Sequence, residues 1–277
     1  MVFGLPERQL PNIEKHDLAR GKLGVFETRL AENAEEVEAA QTLRYRVFCE
    51  ELAAEKNLER IRYQRESDQH DEKCDHLLIL SEKGELIGTQ RLMVRDADVG
   101  AAEFYSNTEY NLAPMLNQFV DKRFMELGRS CILPEYRDKR TMELLWHATW
   151  DYAVKRAADV MFGCASFHTL DPSEIAEPLG FLAEHVPLQK AWQVQSHHPN
   201  KIDMLQFIDD SALPKKAIRA LPPLIKGYLR LGAMFSTHAV PDPDFGTIDV
   251  LVVLPIASIN PRYVKYYGQN ADRHKPK

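Results

Sequence analysis

The sequence predicts a mixed α/β fold, a central mixed sheet flanked by helices. Three observations carry this. Strand-like and helix-like patterns alternate along the chain, as they do when helices cover a sheet. Residues 248–254 are dense in β-branched side chains and read as a strand buried on both faces. Residues 124–141 read as a strand and a sharp polar turn, and a long helical pattern follows.

Taken in order, residues 1–22 are polar, proline-containing and weakly periodic, the composition of an arm or loop. Residues 24–30 alternate as a first strand. Asn33 is placed to cap a helix, with Glu36 as its capping-box partner. Val37, Ala40, Arg44, Val47 and Phe48 fall on one stripe of that helix. A charged loop spans 53–73. Residues 77–80 and 86–94 flank Ser81-Glu-Lys-Gly-Glu85 as a hairpin. Short helices are expected over 111–119 and 173–184, longer ones over 142–156 and 217–231, and a strand over 160–167. Pro222-Pro223 interrupts the last helix. The tail from 270 is polar and expected to fray.

The length, 277 residues, suits one large domain, and a net charge of −6 argues against general nucleic-acid binding. No apolar run approaches the roughly 18 residues of a membrane span. The first residues lack the basic-then-apolar pattern of a signal peptide. Cys49, Cys74, Cys131 and Cys164 are too scattered for a zinc site or a small disulfide framework, and read as reduced thiols of a cytosolic protein. His147, His168, His197 and His198 show no metal-ligand spacing, so no metal is expected.

The strand that opens at Phe124 carries Glu126 and Arg129 among apolar residues, and the turn carries Arg137, Lys139 and Arg140 before Thr141. A helix starting there offers free N–H groups and the positive end of its dipole, an anion site for a phosphate-bearing carrier. Three cations at a helix start oppose the dipole, a cost that a bound anion relieves. Strict alternation puts Glu126 and Arg129 on opposite faces. They share a site only if the strand bulges between 127 and 130, and Gly128 is where a bulge costs least. Glu126 then serves as proton acceptor for an amine, or as ion-pair partner of Arg129 or Arg91; both readings stand. Trp146 and Trp150, one turn apart, suggest core packing. Residues 221–235, apolar with Lys226 and Arg230, fit either a membrane-surface helix or a buried one. Lys215, Lys216, Arg219, Lys226 and Arg230 form a second basic cluster, a dock for an acidic partner or a solvated face.

Residues 124–156 resemble the fourth strand, pyrophosphate turn and third helix of the GNAT acyltransferase fold. With Leu43-Arg-Tyr-Arg-Val-Phe-Cys-Glu50, Cys74-Asp-His-Leu-Leu78, Gly128-Arg-Ser-Cys131, the Pro223–Ala233 block and the Phe245–Pro255 block, the chain from about 23 to 267 is similar to the ornithine lipid N-acyltransferases. Acyl-homoserine-lactone synthases and long-chain N-acyl amino acid synthases are more distant relatives. The turn Arg137-Asp-Lys-Arg-Thr-Met142 lacks the glycines that wrap coenzyme A, which favours the branch that takes acyl chains from acyl carrier protein. The resemblance implies transfer of a 3-hydroxyacyl chain from acyl carrier protein to the α-amine of ornithine, with no tightly bound cofactor.

On this reading Glu126, Arg129 and Ser130 are the candidate catalytic residues. Arg44, Phe48, Asp71, Asp75 and Arg91 bind the amino acid: Arg44 grips its carboxylate, and Asp71 and Asp75 hold a cationic side chain. Asp68 reads as a solvated loop residue. Arg137, Lys139, Arg140 and Thr141 hold the phosphopantetheine. The resemblance implies an arm over 1–22, one domain over 23–269 with a C-terminal elaboration from 168, and a tail over 270–277. The thiols place the chain in the cytoplasm, and 221–235, where it is a surface helix rather than a buried one, would make it peripheral at the inner membrane. Other acceptors (glutamine, glycine, lysine), a lactone-synthase-like enzyme and a non-catalytic membrane-associated protein are the alternatives.

Overall fold

The computed structural model describes residues 13–52, 54, 58–209 and 213–267. The expected tail and most of the arm lie outside them. The described chain opens with a hairpin, β1 (Gly21–Leu23) and β2 (Phe26–Leu30), turned at Gly24 with φ +65°. Helix α1 (Ala34–Arg44) follows. Asn33 caps it, its side chain accepting from Glu36 N at 2.9 Å, while the Glu36 carboxylate accepts from Glu32 N and pairs with Arg29. The helix runs on into a π segment, Tyr45–Glu51.

After α2 (Leu58–Tyr63) come the hairpin β3 (Asp75–Leu80) and β4 (Leu86–Asp96), the short β5 (Tyr110–Asn111), and α3 (Ala113–Gln118). Strand β6 (Arg123–Ile132), helix α4 (Lys139–Lys155) and strand β7 (Val160–Phe167) form the centre. Then follow α5 (Ala176–His185), the short β8 (Gln195–Ser196) and β9 (Ile202–Asp203), α6 (Pro214–Ala220) and α7 (Pro223–Leu231). Strands β10 (Met234–Asp242) and β11 (Thr247–Pro255) and helix α8 (Pro261–Tyr267) complete it.

Among the described residues, nine strands make one sheet in the order β1-β2-β3-β4-β6-β7-β11-β10-β9, and β5 pairs with β8 apart from it. The β6–β7 pair is parallel and the other described pairs are antiparallel. Strand β11 is buried from Thr247 to Leu254, which is why it reads as a continuous apolar run. Strand β10 escapes the sequence patterns. Its residues Ser236, Thr237, His238 and Pro241 break the alternation, and its register to β11 shifts between Phe235 and Ala239.

Helix α7 buries Ile225, Tyr228 and Leu231. Trp146 of α4 packs edge-on to Tyr228 at 5.1 Å and lies against Gly227, where a Cβ would sit 2.9 Å from the indole. The apolar face of 221–235 is therefore core, which corrects its reading as a membrane-surface helix. Among the described residues no helix is long and apolar enough to cross a membrane.

Two parting strands position the site. The β6–β7 register ends at Glu126 opposite Phe162. Beyond that point β6 stays with β4 and β7 stays with β11, so the sheet opens between them. Gly163 marks the fork: with φ +155°, a Cβ there would lie 2.3 Å from the Leu127 carbonyl oxygen.

Candidate active site

Strand β6 bulges where the alternation argument requires it. Thr89 faces Cys131 and Arg91 faces Gly128, so one β4 residue opposes two on β6. The left-handed residue is Arg129, at φ +50°, rather than Gly128. A bulge residue with φ > 0 normally favours glycine. Here the backbone strain sits at a residue whose guanidinium is held by ion pairs to Glu66 and Asp68.

The bulge opens onto a cavity of about 500 Å³. Its apolar wall includes Val47, Leu52, Met142, Leu145, Pro222, Leu224 and Tyr228; its polar part includes Arg91, Glu126, Arg129, Ser130, Asp242 and Asp249. Such a vessel, mostly apolar with a few convergent charges, suits a chain-bearing substrate.

Arg129 is fixed between two rings, its guanidinium carbon 4.6 Å from the centroids of both Tyr105 and Phe245. It also bonds Glu66 at 3.2 Å and Asp68 at 3.1 Å. Arg91 reaches Asp68 at 2.6 Å and Asp71 at 3.1 Å. Arg44 meets Asp71 in a two-pronged contact, both bonds 2.8 Å, and Glu66 at 2.6 Å. Three guanidiniums and three carboxylates thus form one neutral buried network. Burial alone would raise the acids, but Arg129 and Arg44 hold Glu66 below the carboxylate range, and Arg44 and Arg91 do the same for Asp71.

Several sequence expectations change here. Arg44 is 1% exposed, saturated by Asp71 and Glu66, and does not line the cavity, so it is not placed to grip a substrate carboxylate. The π segment separates it from Phe48, which does line the cavity and meets Phe245 edge-on at 5.6 Å. Asp71 and Asp75 do not form a clamp. Asp71 belongs to the network, whereas Asp75 pairs with Lys15 and Arg156 and accepts from the Tyr152 hydroxyl at 2.8 Å. Asp68 is an ion-pair partner of Arg91 and Arg129, not a solvated loop residue. Glu126 pairs with neither Arg129 nor Arg91. Its carboxylate accepts from Tyr105 N at 2.9 Å and from Ser106 N and Oγ at 2.7 Å each. That leaves about one of its roughly four lone-pair sites for a substrate proton.

At the turn, Asp138 caps α4, accepting from Arg140 N and Thr141 N at 2.8 and 2.9 Å. The helix starts at Lys139, and its first donors are already occupied by an acid lying inside the basic run. Thr141 is buried and bonds Asp138; Lys139 and Arg140 are exposed but do not line the cavity. Arg137 alone of the four reaches the cavity, and it pairs with Glu51 and donates to Ile132 O at 2.8 Å. Asp138 and Glu51 thus offset much of the local charge, so the helix start does not require a bound anion to relieve it.

Glu109, Asp242 and Asp249 went unnoticed in the sequence. Each places a carboxylate oxygen within 4.8 Å of the others'. Burial, then repulsion from Asp249, pushes Glu109 up to about 8, and burial pushes Asp249 up to about 6. Cys164 donates to Glu109 at 3.4 Å. Burial also raises the thiols, Cys131 and Cys74 each to about 12, so neither supplies a thiolate nucleophile near neutral pH. Nothing in the local sequence pairs residue 109 with residues 242 and 249; only a spacing of more than 130 residues closed by the sheet does so. Glu66 and Asp68, by contrast, sit in the acid-rich stretch Glu66-Ser-Asp-Gln-His-Asp71, a signal that could have found them.

A mixed sheet that forks beside a bulged strand, with a chain-sized cavity in the fork, is the architecture of a GNAT-type acyltransferase. A family model described as an acetyltransferase (GNAT) domain matches residues 43–147. The chain is 46% identical over 260 residues to the L-ornithine N(alpha)-acyltransferase of Agrobacterium fabrum, covering 91% of this chain and 88% of the relative. It is 48% identical to the enzyme of that name from Rhizobium meliloti, with the same coverage. This chain belongs to the L-ornithine N(alpha)-acyltransferase family. Among solved structures, an N-acyl amino acid synthase from uncultured soil microbes is similar at 10% identity, over 86% of this chain and 92% of that one, with a TM-score of 0.48.

Proposed function

We propose that this chain transfers a 3-hydroxyacyl chain from acyl carrier protein to the α-amine of L-ornithine, releasing an N-acylated amino acid with the chain attached. The observation that carries the acceptor is the acidic end of the cavity. Asp242 and Asp249, with Glu109 beside them, are crowded acids whose mutual repulsion a bound cation would relieve. Ornithine carries a second ammonium; glutamine and glycine do not. Arg129, unlike Arg44, lines the cavity, and the part of its guanidinium not engaged by Glu66 and Asp68 offers a fixed cation for the substrate carboxylate.

The thioester lies along the apolar wall with its carbonyl at the β6 bulge. There the strand has parted from β7, and its backbone N–H groups can receive the developing oxyanion. The neutral α-amine attacks the carbonyl carbon, the C–S bond breaks, and the thiol leaves on the carrier. Glu126 takes the amine proton, directly or through water, and passes it to the departing thiolate, which leaves as the thiol and restores the carboxylate. Arg137, at the cavity rim, meets the phosphate of the pantetheine arm. The turn without glycines supports a carrier protein rather than coenzyme A as donor.

Purified protein given 3-hydroxyacyl-acyl carrier protein with ornithine, lysine, glutamine, glycine or S-adenosylmethionine, and analysed by mass spectrometry, tests this. N-acylated ornithine is expected. Asp249→Asn should raise KM for ornithine and leave any glutamine reaction unmoved. Acylation of glutamine or glycine in preference to ornithine would discard the acidic clamp. No product with any acceptor, from either the carrier protein or acyl-coenzyme A, would discard acyl transfer itself.

A further inference from the structure

Charge is distributed along this chain in a way that acyl transfer does not use. Between Asp209-Asp210 and Asp242 the chain contains Lys215, Lys216, Arg219, Lys226 and Arg230 and no aspartate or glutamate, although the whole chain carries −6. Helix α6 is the exposed part of this stretch, with Ala217 as its buried residue. Leu213 at its start is 71% exposed and Ile218 within it is 36% exposed. Lys216 is partly offset by Glu177 at 2.5 Å, and Lys226 donates to Arg219 O at 2.6 Å. Lys215 and Arg219 are exposed.

One exposed leucine means little on its own. Two aliphatic side chains turned outward among cations, on a segment anchored by one alanine, have the composition of a segment that lies in a lipid interface. Position adds to this. Leu221 is buried directly after α6, and Pro222, Pro223 and Leu224 then line the cavity. Helix α6 therefore leads directly into a stretch of the cavity wall.

We propose that α6, with Leu213 at its start, docks this protein on an anionic lipid bilayer. The surface rests on charge and exposure. The acyl-transfer reading supplies only its use: a product that keeps its acyl chain is made in a protein already seated on the lipid that receives it. An acidic carrier protein would also answer the charge; the outward Leu213 and Ile218 favour lipid.

Co-sedimentation of the full chain with vesicles tests it, comparing phosphatidylcholine alone with equal parts phosphatidylcholine and phosphatidylglycerol. Binding is expected to the anionic vesicles only and to weaken with salt. Each neutralised cation near such a surface lowers partitioning about five-fold, so Lys215→Gln with Arg219→Gln should cost roughly 25-fold. Leu213→Ser with Ile218→Ser should also release the protein, at low salt as well. Turnover of ornithine with a soluble donor should stay unchanged in both double variants, which shows that they fold. Equal binding to both vesicle types, binding to neither, or variants that bind like the parent would overturn the proposal. So would variants that keep vesicle binding but raise KM for the acyl carrier protein, since the surface would then belong to the carrier. Loss of acyl transfer with vesicle binding intact would remove the functional reading and leave this surface standing.

Discussion

Replacing Arg44 separates a structural from a substrate-binding role for the most deeply buried cation of the site. Its side chain is 1% exposed, makes two 2.8 Å hydrogen bonds to Asp71 and lies 2.6 Å from the Glu66 carboxylate in an ion pair. Removing one partner of a buried ion pair costs about 3–5 kcal/mol, mostly because the surviving charge is stranded. Here the survivors keep other partners, Asp71 to Arg91 at 3.1 Å and Glu66 to Arg129 at 3.2 Å. The lower end, about 3 kcal/mol, is therefore expected for Arg44→Met. For a chain of this size that lowers the melting temperature by about 6–12 °C. Arg44→Lys should recover only part of this, because an ammonium cannot reproduce the two-pronged contact. Arg44→Met with Asp71→Asn should be more stable than Arg44→Met alone, since the stranded charge is gone. Thermal unfolding by circular dichroism, with Michaelis parameters for ornithine taken well below the transition, reads both quantities. An unchanged midpoint together with a ten-fold or larger rise in KM for ornithine would refute the buried-network account and return Arg44 to the substrate.

Three further outcomes are expected. Gly163→Ala puts a Cβ 2.3 Å from the Leu127 carbonyl oxygen and should cost about 2–3 kcal/mol by forcing the fork apart, read as a lower denaturant midpoint. Glu109, raised to about 8 from an ordinary 4.5, binds its proton more tightly when folded. Its contribution to stability is thus full below about pH 4.5 and is lost as pH rises towards about 8. Glu109→Gln should lose less melting temperature than the parent between those limits. Arg137→Ala breaks an exposed pair with Glu51, so stability should change by less than about 1 kcal/mol. KM for the acyl donor should nonetheless rise roughly ten-fold, the size of one charge-assisted hydrogen bond to phosphate.

The site was legible where its logic is local. Glu126 and Arg129 are three residues apart on one strand, so the need for a bulge follows from the pleat alone, and the structure supplies the bulge. Which residue would take the left-handed conformation was not legible: Gly128 is the cheapest choice in isolation, but the pull of Glu66 and Asp68 on the Arg129 side chain accompanies φ +50° at Arg129. Pairings between distant acids and arginines were less legible still. A carboxylate near an arginine in sequence is a candidate for many partners, and Asp71 and Asp75, four residues apart, end in separate networks because a 3-10 turn over Asp71–Lys73 precedes the strand that begins at Asp75. The anion turn was read from its cations, while Asp138 among them, a standard N-cap residue, was the stronger local signal.

By itself the sequence determined the alternation of strands and helices, the buried β11, the Asn33 cap, the hairpin of β3 and β4 and the family to which the chain belongs. Each of these rests on side-chain periodicity, on backbone capping within a few residues, or on motifs held in a fixed order. Only the tertiary structure decided that β6 and β7 part at Glu126, that Arg44 faces acids rather than substrate, that α7 is core while α6 is surface, and that Glu109 meets Asp242 and Asp249. The physical reason is common to all four. Charge pairing and burial depend on which elements are neighbours across the sheet, and that adjacency is set by how the whole chain packs, not by any window of it.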